Sequence, residues 1–124
     1  MAKERPNSRL RRMRQMDVEA LELALITAKA LGHRTIPRTT LQTILGGIGT
    51  PIIFGIIKLH LRQGLAQGGP LLTSMIVEES GIPGGSFFDI LRKSGIHIPD
   101  NPGAERDEWE RQIALVDVMD PDKI

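Results

Sequence analysis

The chain of 124 residues has a net charge of +1, a hydrophobic content of 40%, three Phe, one Trp and no Cys. That length builds one domain burying about two-thirds of its unfolded surface, and the missing cysteines exclude disulfides, thiolate zinc centres and cysteine nucleophiles. The small net charge hides a division: residues 1–77 hold eleven Lys/Arg against four Asp/Glu, residues 78–124 hold five against eleven, and no acid lies between Glu22 and Glu78. Such polarity points to binding without naming a ligand.

Residues 1–15 hold six cations and one acid, with Pro6 and little that is apolar. They read as a basic flexible arm that either orders on a partner or solubilises the chain. Leu10 and Met13 also allow the next helix to extend backward. An amphipathic segment with Asp17, Glu19 and Glu22 follows where a secretory signal would have its apolar core. Val18, Leu21, Leu25 and Ala28 at helical spacing, widened by Ala24 and Leu31, predict a helix from Asp17 that stops at Gly32. Glu19 and Glu22 suit its positive end.

Residues 33–37 read as a connector. Thr40 can cap a short helix carrying Leu41, Ile44 and Leu45 that stops at Gly46-Gly47. Thr50 followed by Pro51 opens another, because the missing proline amide is one that a first helical turn leaves unpaired. Its apolar run from Ile52 to Leu61 also suits a strand; length, cap and Gly64 as terminator decide for helix, with Lys58 and Arg62 on one face. The uncharged stretch 39–57 contains four Thr, four Gly, Gln42 and Pro51, too dilute for a membrane span of about twenty mostly apolar residues. A cytoplasmic protein is expected.

Residues 71–77 lack helical spacing and lie between Gly68-Gly69-Pro70 and Ser80-Gly81, which predicts a strand. Residues 82–85 make a turn, after which Ser86 caps a short helix with Phe87, Phe88, Ile90 and Leu91, closed by Gly95. Ile96-His97-Ile98 reads as a brief second strand and 99–103 as a loop. A last helix is expected over about 104–118, with Glu105, Asp107 and Glu108 in its first turn and Trp109, Ile113 and Val116 on one side. The expected organisation is an arm (1–15), one compact domain (16–118) and a frayed tail (119–124). The fold class is α+β, mostly α: a helix-turn-helix with a small strand or wing and a C-terminal helix.

Over residues 41–88, Gly69-Pro70-Leu71-Leu72-Thr73 and Ser80-Gly81-Ile82-Pro83-Gly84-Gly85-Ser86-Phe87-Phe88 resemble a small uncharacterised prokaryotic family. That family has a leucine-proline-proline-leucine-threonine strand entry and a threonine-glycine-x-proline-glycine turn before aromatics. The chain departs from it at Gly69, where proline is commoner, and the resemblance implies no known activity. The order of helix, glycine turn, helix and strand is also similar to the winged DNA-binding part of alkylguanine alkyltransferase-like proteins. That similarity implies at most a fold and a DNA-facing helix. Alkyl transfer needs a cysteine in a Pro-Cys-His-Arg motif, and this chain has no cysteine.

The leading functional expectation is non-enzymatic binding of duplex DNA. Arg5, Arg9, Arg11, Arg12 and Arg14 with Arg34, Arg38, Lys58 and Arg62 would hold phosphates. Thr50, Pro51, Ile52 and Ile53 at the start of the second long helix lack base-reading donors, so low sequence specificity is expected. Lys58 and Arg62 also read as a solvated helix edge. The alternative is a protein-interaction or inhibitor role, in which Glu105, Asp107, Glu108 and Trp109, with Phe87 and Phe88, meet a basic protein surface. The same acids equally complement a helix dipole, and the charge division also suits a homo-oligomer. His33, His60 and His97 lack metal-ligand spacing, and His60 reads as a packing residue. Gly46-Gly47-x-Gly49 lacks the Lys-Ser/Thr of a phosphate loop, and Ser74, Ser80 and Ser86 have no nucleophile elbow. No enzyme activity, cofactor or metal is expected.

Overall fold

The stripe of Val18, Leu21, Leu25 and Ala28 buries one side of the longest helix, α1 (Pro6–Ala30). The computed structural model describes residues 6–120, with side chains described from Gln15 onward. After α1 come β1 (Ile36–Pro37), α2 (Arg38–Ile44), α3 (Thr50–Gln67), a 3-10 turn (Leu72–Met75), β2 (Ile76–Val77), α4 (Gly85–Lys93) and α5 (Pro102–Asp117). The domain is thus mostly helical, with one small parallel pair joining Ile36 to Ile76 and Pro37 to Val77.

α1 starts at Pro6, well before the expected Asp17. Arg, Leu, Met and Gln between the two are good helix formers, and nothing there stops the helix. Gly32, at φ 91°, ends it in the left-handed conformation that glycine adopts without strain, while the His33 amide donates to the Ala28 carbonyl at 3.0 Å. Residues 1–5 of the expected arm and residues 121–124 of the expected tail lie outside the described residues.

Two predicted helix starts move, by three residues and by one. α2 begins at Arg38 with Pro37 in the cap position, and α3 has Gly49 there, so neither Thr40 nor Thr50 caps a helix with its side chain. Gly64 does not stop α3, which runs on to Gln67. A Cβ at Gly64 would lie 3.1 Å from Cδ2 of Leu71, so this glycine lets the segment after the helix fold back closely upon it.

The largest correction concerns residues 71–77. Only Ile76–Val77 is strand; Leu72–Met75 is a 3-10 turn, and all seven residues are buried. The turn packs against α1, α3 and α5, leaving no sheet to receive an extended chain. Its backbone groups are satisfied locally and by side chains: the Ser74 amide donates to the Leu71 carbonyl at 2.9 Å, and the Trp109 indole N–H donates to the Ser74 carbonyl at 2.9 Å. The second expected strand, at 96–98, does not form. The Arg92 guanidinium instead takes the carbonyls of Ile98 and Pro99 at 3.0 and 3.2 Å. β2 pairs with a strand that precedes α2, in parallel, so the pairing is not a hairpin.

Phe87, Phe88 and Trp109 do not form a contact surface. They are 5%, 1% and 4% exposed, and the two phenyl rings meet edge to face at 5.1 Å. This aromatic pairing helps tie α4 into the core alongside Leu91, Ile113 and Val116.

The caps give a direct check. Asn101 precedes Pro102 at the start of α5, and its Oδ1 accepts from the Ala104 amide at 2.8 Å; Ser86 lies inside α4, which has Gly84 in the cap position. Asn101→Ala should therefore cost about 1 kcal/mol in urea unfolding, whereas Ser86→Ala should change stability by less than about 0.5 kcal/mol.

Candidate nucleic-acid interface

The parallel register sets the first charged contact. Because Pro37 pairs with Val77, the next residues, Arg38 and Glu78, come side by side. Arg38 Nε donates to Glu78 Oε2 at 2.7 Å and to Oε1 at 3.0 Å. Its guanidinium also bonds Gln42 and lies 4.8 Å from the Phe54 ring centroid. Gln42 in turn donates to the Ile48 carbonyl at 2.9 Å, so this network holds the turn between α2 and α3.

Arg34 is similarly engaged. Its Nε lies 3.0 Å from Asp117 Oδ2, its Nη2 3.6 Å from Glu110 Oε2, and its guanidinium carbon 5.8 Å from the Trp109 ring centroid. Lys29 Nζ donates to the Asp117 carbonyl at 3.3 Å. The basic front of the sequence thus meets its acidic back within a single chain. Asp117 raises the pKa of Arg34 and Glu78 that of Arg38, each chiefly by a side-chain hydrogen bond.

Lys58 and Arg62 differ. Lys58 is half-buried and Arg62 exposed on α3, and neither has an ion pair or side-chain hydrogen bond among the described residues. With Asp17, Pro51, Ile52 and Gly55 they border a cleft of about 390 Å³. Next to Arg62, Gln63 donates to Gln15 Oε1 at 2.8 Å, which fixes the residue following Arg14 against α3. Arg9, Arg11, Arg12 and Arg14 occupy the first turns of α1, ahead of the described side chains. Arg5 lies outside the described residues.

The acidic residues of α5 are mostly engaged within the chain. Glu105 Oε2 accepts from Arg92 at 2.9 Å. Glu108 is buried and accepts from Arg111 at 2.6 Å and from Gln112 at 2.8 Å. Trp109 is in the core, and Asp107 is exposed without a partner among the described residues. Arg92, which ties α4 to the loop before α5 and to Glu105, carries no signal in sequence beyond its place near the end of a helix.

His60 is a buried packing residue. Its Nδ1 lies 2.8 Å from Thr73 Oγ1 and its Nε2 3.5 Å from Glu22 Oε1, beside a cleft of about 230 Å³ that Gln15, Gln63 and Gln67 help to line. Among the described residues, no group of three or more His, Cys, Asp or Glu is placed to hold a metal, and no helix is long and apolar enough to cross a membrane. No protein family, curated protein or solved structure matches this chain.

Burial pushes the His60 pKa below its ordinary value of 6.5, with Glu22 opposing that shift. The native imidazole is therefore neutral where the unfolded chain, below pH 6.5, takes up a proton. The stability this residue contributes is present above that pH and is lost as pH falls through the unfolded value toward the lower folded one. Urea unfolding at a series of pH values should show wild type losing more stability than His60→Gln between neutral pH and mildly acid pH.

Proposed function

We propose that this protein is a non-enzymatic, nucleic-acid-associated module that grips the phosphates of duplex DNA with low sequence specificity. The footprint in this reading is Arg9, Arg11, Arg12 and Arg14 at the start of α1 together with Lys58 and Arg62 of α3. The supporting observation is that Lys58 and Arg62 lack partners among the described residues, while the Gln15–Gln63 bond brings the residue after Arg14 to the same helix. Free cations neutralise phosphates without first leaving a carboxylate, and neutralisation releases the counterions that drive such binding.

Arg34 and Arg38 drop out of this footprint. Using either would break its bonds to Asp117 or Glu78 and forfeit much of the gain. The two helices α2 and α3, joined through Gly46 and Gly47 at φ 92° and 77°, support a helix-turn-helix reading. Thr50, Pro51 and the exposed Ile52 at the start of α3 offer no long donor for base edges, which supports backbone binding over sequence reading. The protein-docking alternative is weaker, because Glu105, Glu108 and Trp109 are already bonded within the chain.

Fluorescence anisotropy with a duplex of arbitrary sequence tests this reading. Affinity should fall with salt at a slope of about 0.9 per phosphate contacted, and the double variant Lys58→Glu, Arg62→Glu should weaken binding and flatten that slope by about two. Absence of binding by the intact chain at low salt, or binding indifferent to those reversals, would overturn it.

A further inference from the structure

Gly55 lies inside α3, where glycine is less favourable than alanine. Its φ is not positive, and a Cβ built on it would meet nothing within 4 Å outside its own helix. Neither a turn nor a close approach therefore calls for a glycine there. What the missing side chain leaves open is the cleft of about 390 Å³ beside α3. Exposed Pro51 and Ile52 and half-buried Leu59 give this cleft an apolar surface, and Lys58 and Arg62 add two cations. Asp17 of α1 lines it as well, and among the described residues its carboxylate pairs with neither cation. Opposite charges that share a cleft without pairing complement a ligand that carries an anion and hydrogen-bond donors on either side of an apolar body.

We infer that this cleft takes one unpaired guanine of a nucleic-acid strand. The inference rests on the reading of Lys58 and Arg62 as phosphate-holding residues: four positions apart, they share a helix face and hold the phosphate of that nucleotide. The base lies over Gly55 against Pro51, Ile52 and Leu59, where a side chain at position 55 would obstruct it. Apolar side chains take the face of an extruded base as aromatic ones do.

Asp17 decides which base. An ionised carboxylate only accepts hydrogen bonds, and guanine alone presents two adjacent donors, N1–H and N2–H, on its pairing edge. Adenine and cytosine set an acceptor nitrogen beside their one amino group, and thymine flanks its N–H with two carbonyls. Each of these turns a lone pair toward the carboxylate. Guanine instead makes two parallel, charge-assisted bonds, the stronger and more specific arrangement. A duplex occupies this edge, so the base must be unpaired, and a bulged base avoids much of the cost of unpairing.

Anisotropy titrations of the intact chain with one duplex, either fully paired or carrying a single bulged guanine, hypoxanthine or adenine, test this. The guanine bulge should bind about tenfold tighter than the adenine bulge or the paired duplex. Hypoxanthine, which lacks the N2 amino group, should lose most of that advantage. Asp17→Asn and Gly55→Leu should each abolish the guanine preference without weakening binding to the paired duplex. Gly55→Leu should also leave the urea midpoint no lower, because leucine is the better helix former and its site is open. Guanosine monophosphate carries the same groups without flanking phosphates and should bind more weakly than the guanine bulge. Equal affinity for guanine and adenine bulges, or a guanine preference that survives either substitution, would overturn the inference and leave the phosphate-gripping reading standing. Tighter binding of the free nucleotide would overturn the strand as the source of the base. No binding to any of these duplexes at low salt would overturn both.

Discussion

Residues 71–77 must be buried with only a two-residue strand pairing to hold them, and the rest of the structure is arranged around that constraint. The segment resolves it by coiling into a 3-10 turn, giving the Ser74 carbonyl to Trp109 and pairing only its last two residues with β1. One buried hydrogen bond contributes about 1 kcal/mol net, but leaving that carbonyl unpaired would cost more. α1, α3 and α5 all close upon the turn, and Leu71 packs so near Gly64 that a Cβ there would lie 3.1 Å from its Cδ2 and require it to shift.

The same arrangement decides the fate of the charges. Once β1 lies beside β2, Arg38 cannot avoid Glu78, and once α5 docks through Trp109, Arg34 reaches Glu110 and Asp117. The exposed Arg34 pairs contribute little stability, about 0–1 kcal/mol each, while the Arg38–Glu78 pair is half-buried. Their larger effect is to remove two cations from any external ligand. Among the described residues, Lys58 and Arg62 of α3 keep no such partner.

Much of this was legible where the signal is local. The inner stripe of α1, the glycine turn before α3 and the body of α5 follow from periodicity and end signals within a few residues. Residues 71–77 were not, because a segment buried on every side shows no alternation to separate a strand from a turn. The false strand at 96–98 has a similar origin: Ile96 and Ile98 alternate, but Arg92 takes the carbonyls that a sheet would need. Arg34 and Arg38 looked free because their acids stand 83 and 40 positions away. Phe87 and Phe88 looked available because sequence does not reveal which side of a short helix faces inward.

The central claim is that folding sorts the cations of the basic half into internal and external sets. Measuring both duplex affinity and unfolding free energy for the single variants Arg34→Gln, Arg38→Gln, Lys58→Gln and Arg62→Gln tests it most directly. The account predicts that the first two lower stability with little change in affinity, while the last two weaken binding and leave stability intact; equal loss of affinity across all four would contradict it.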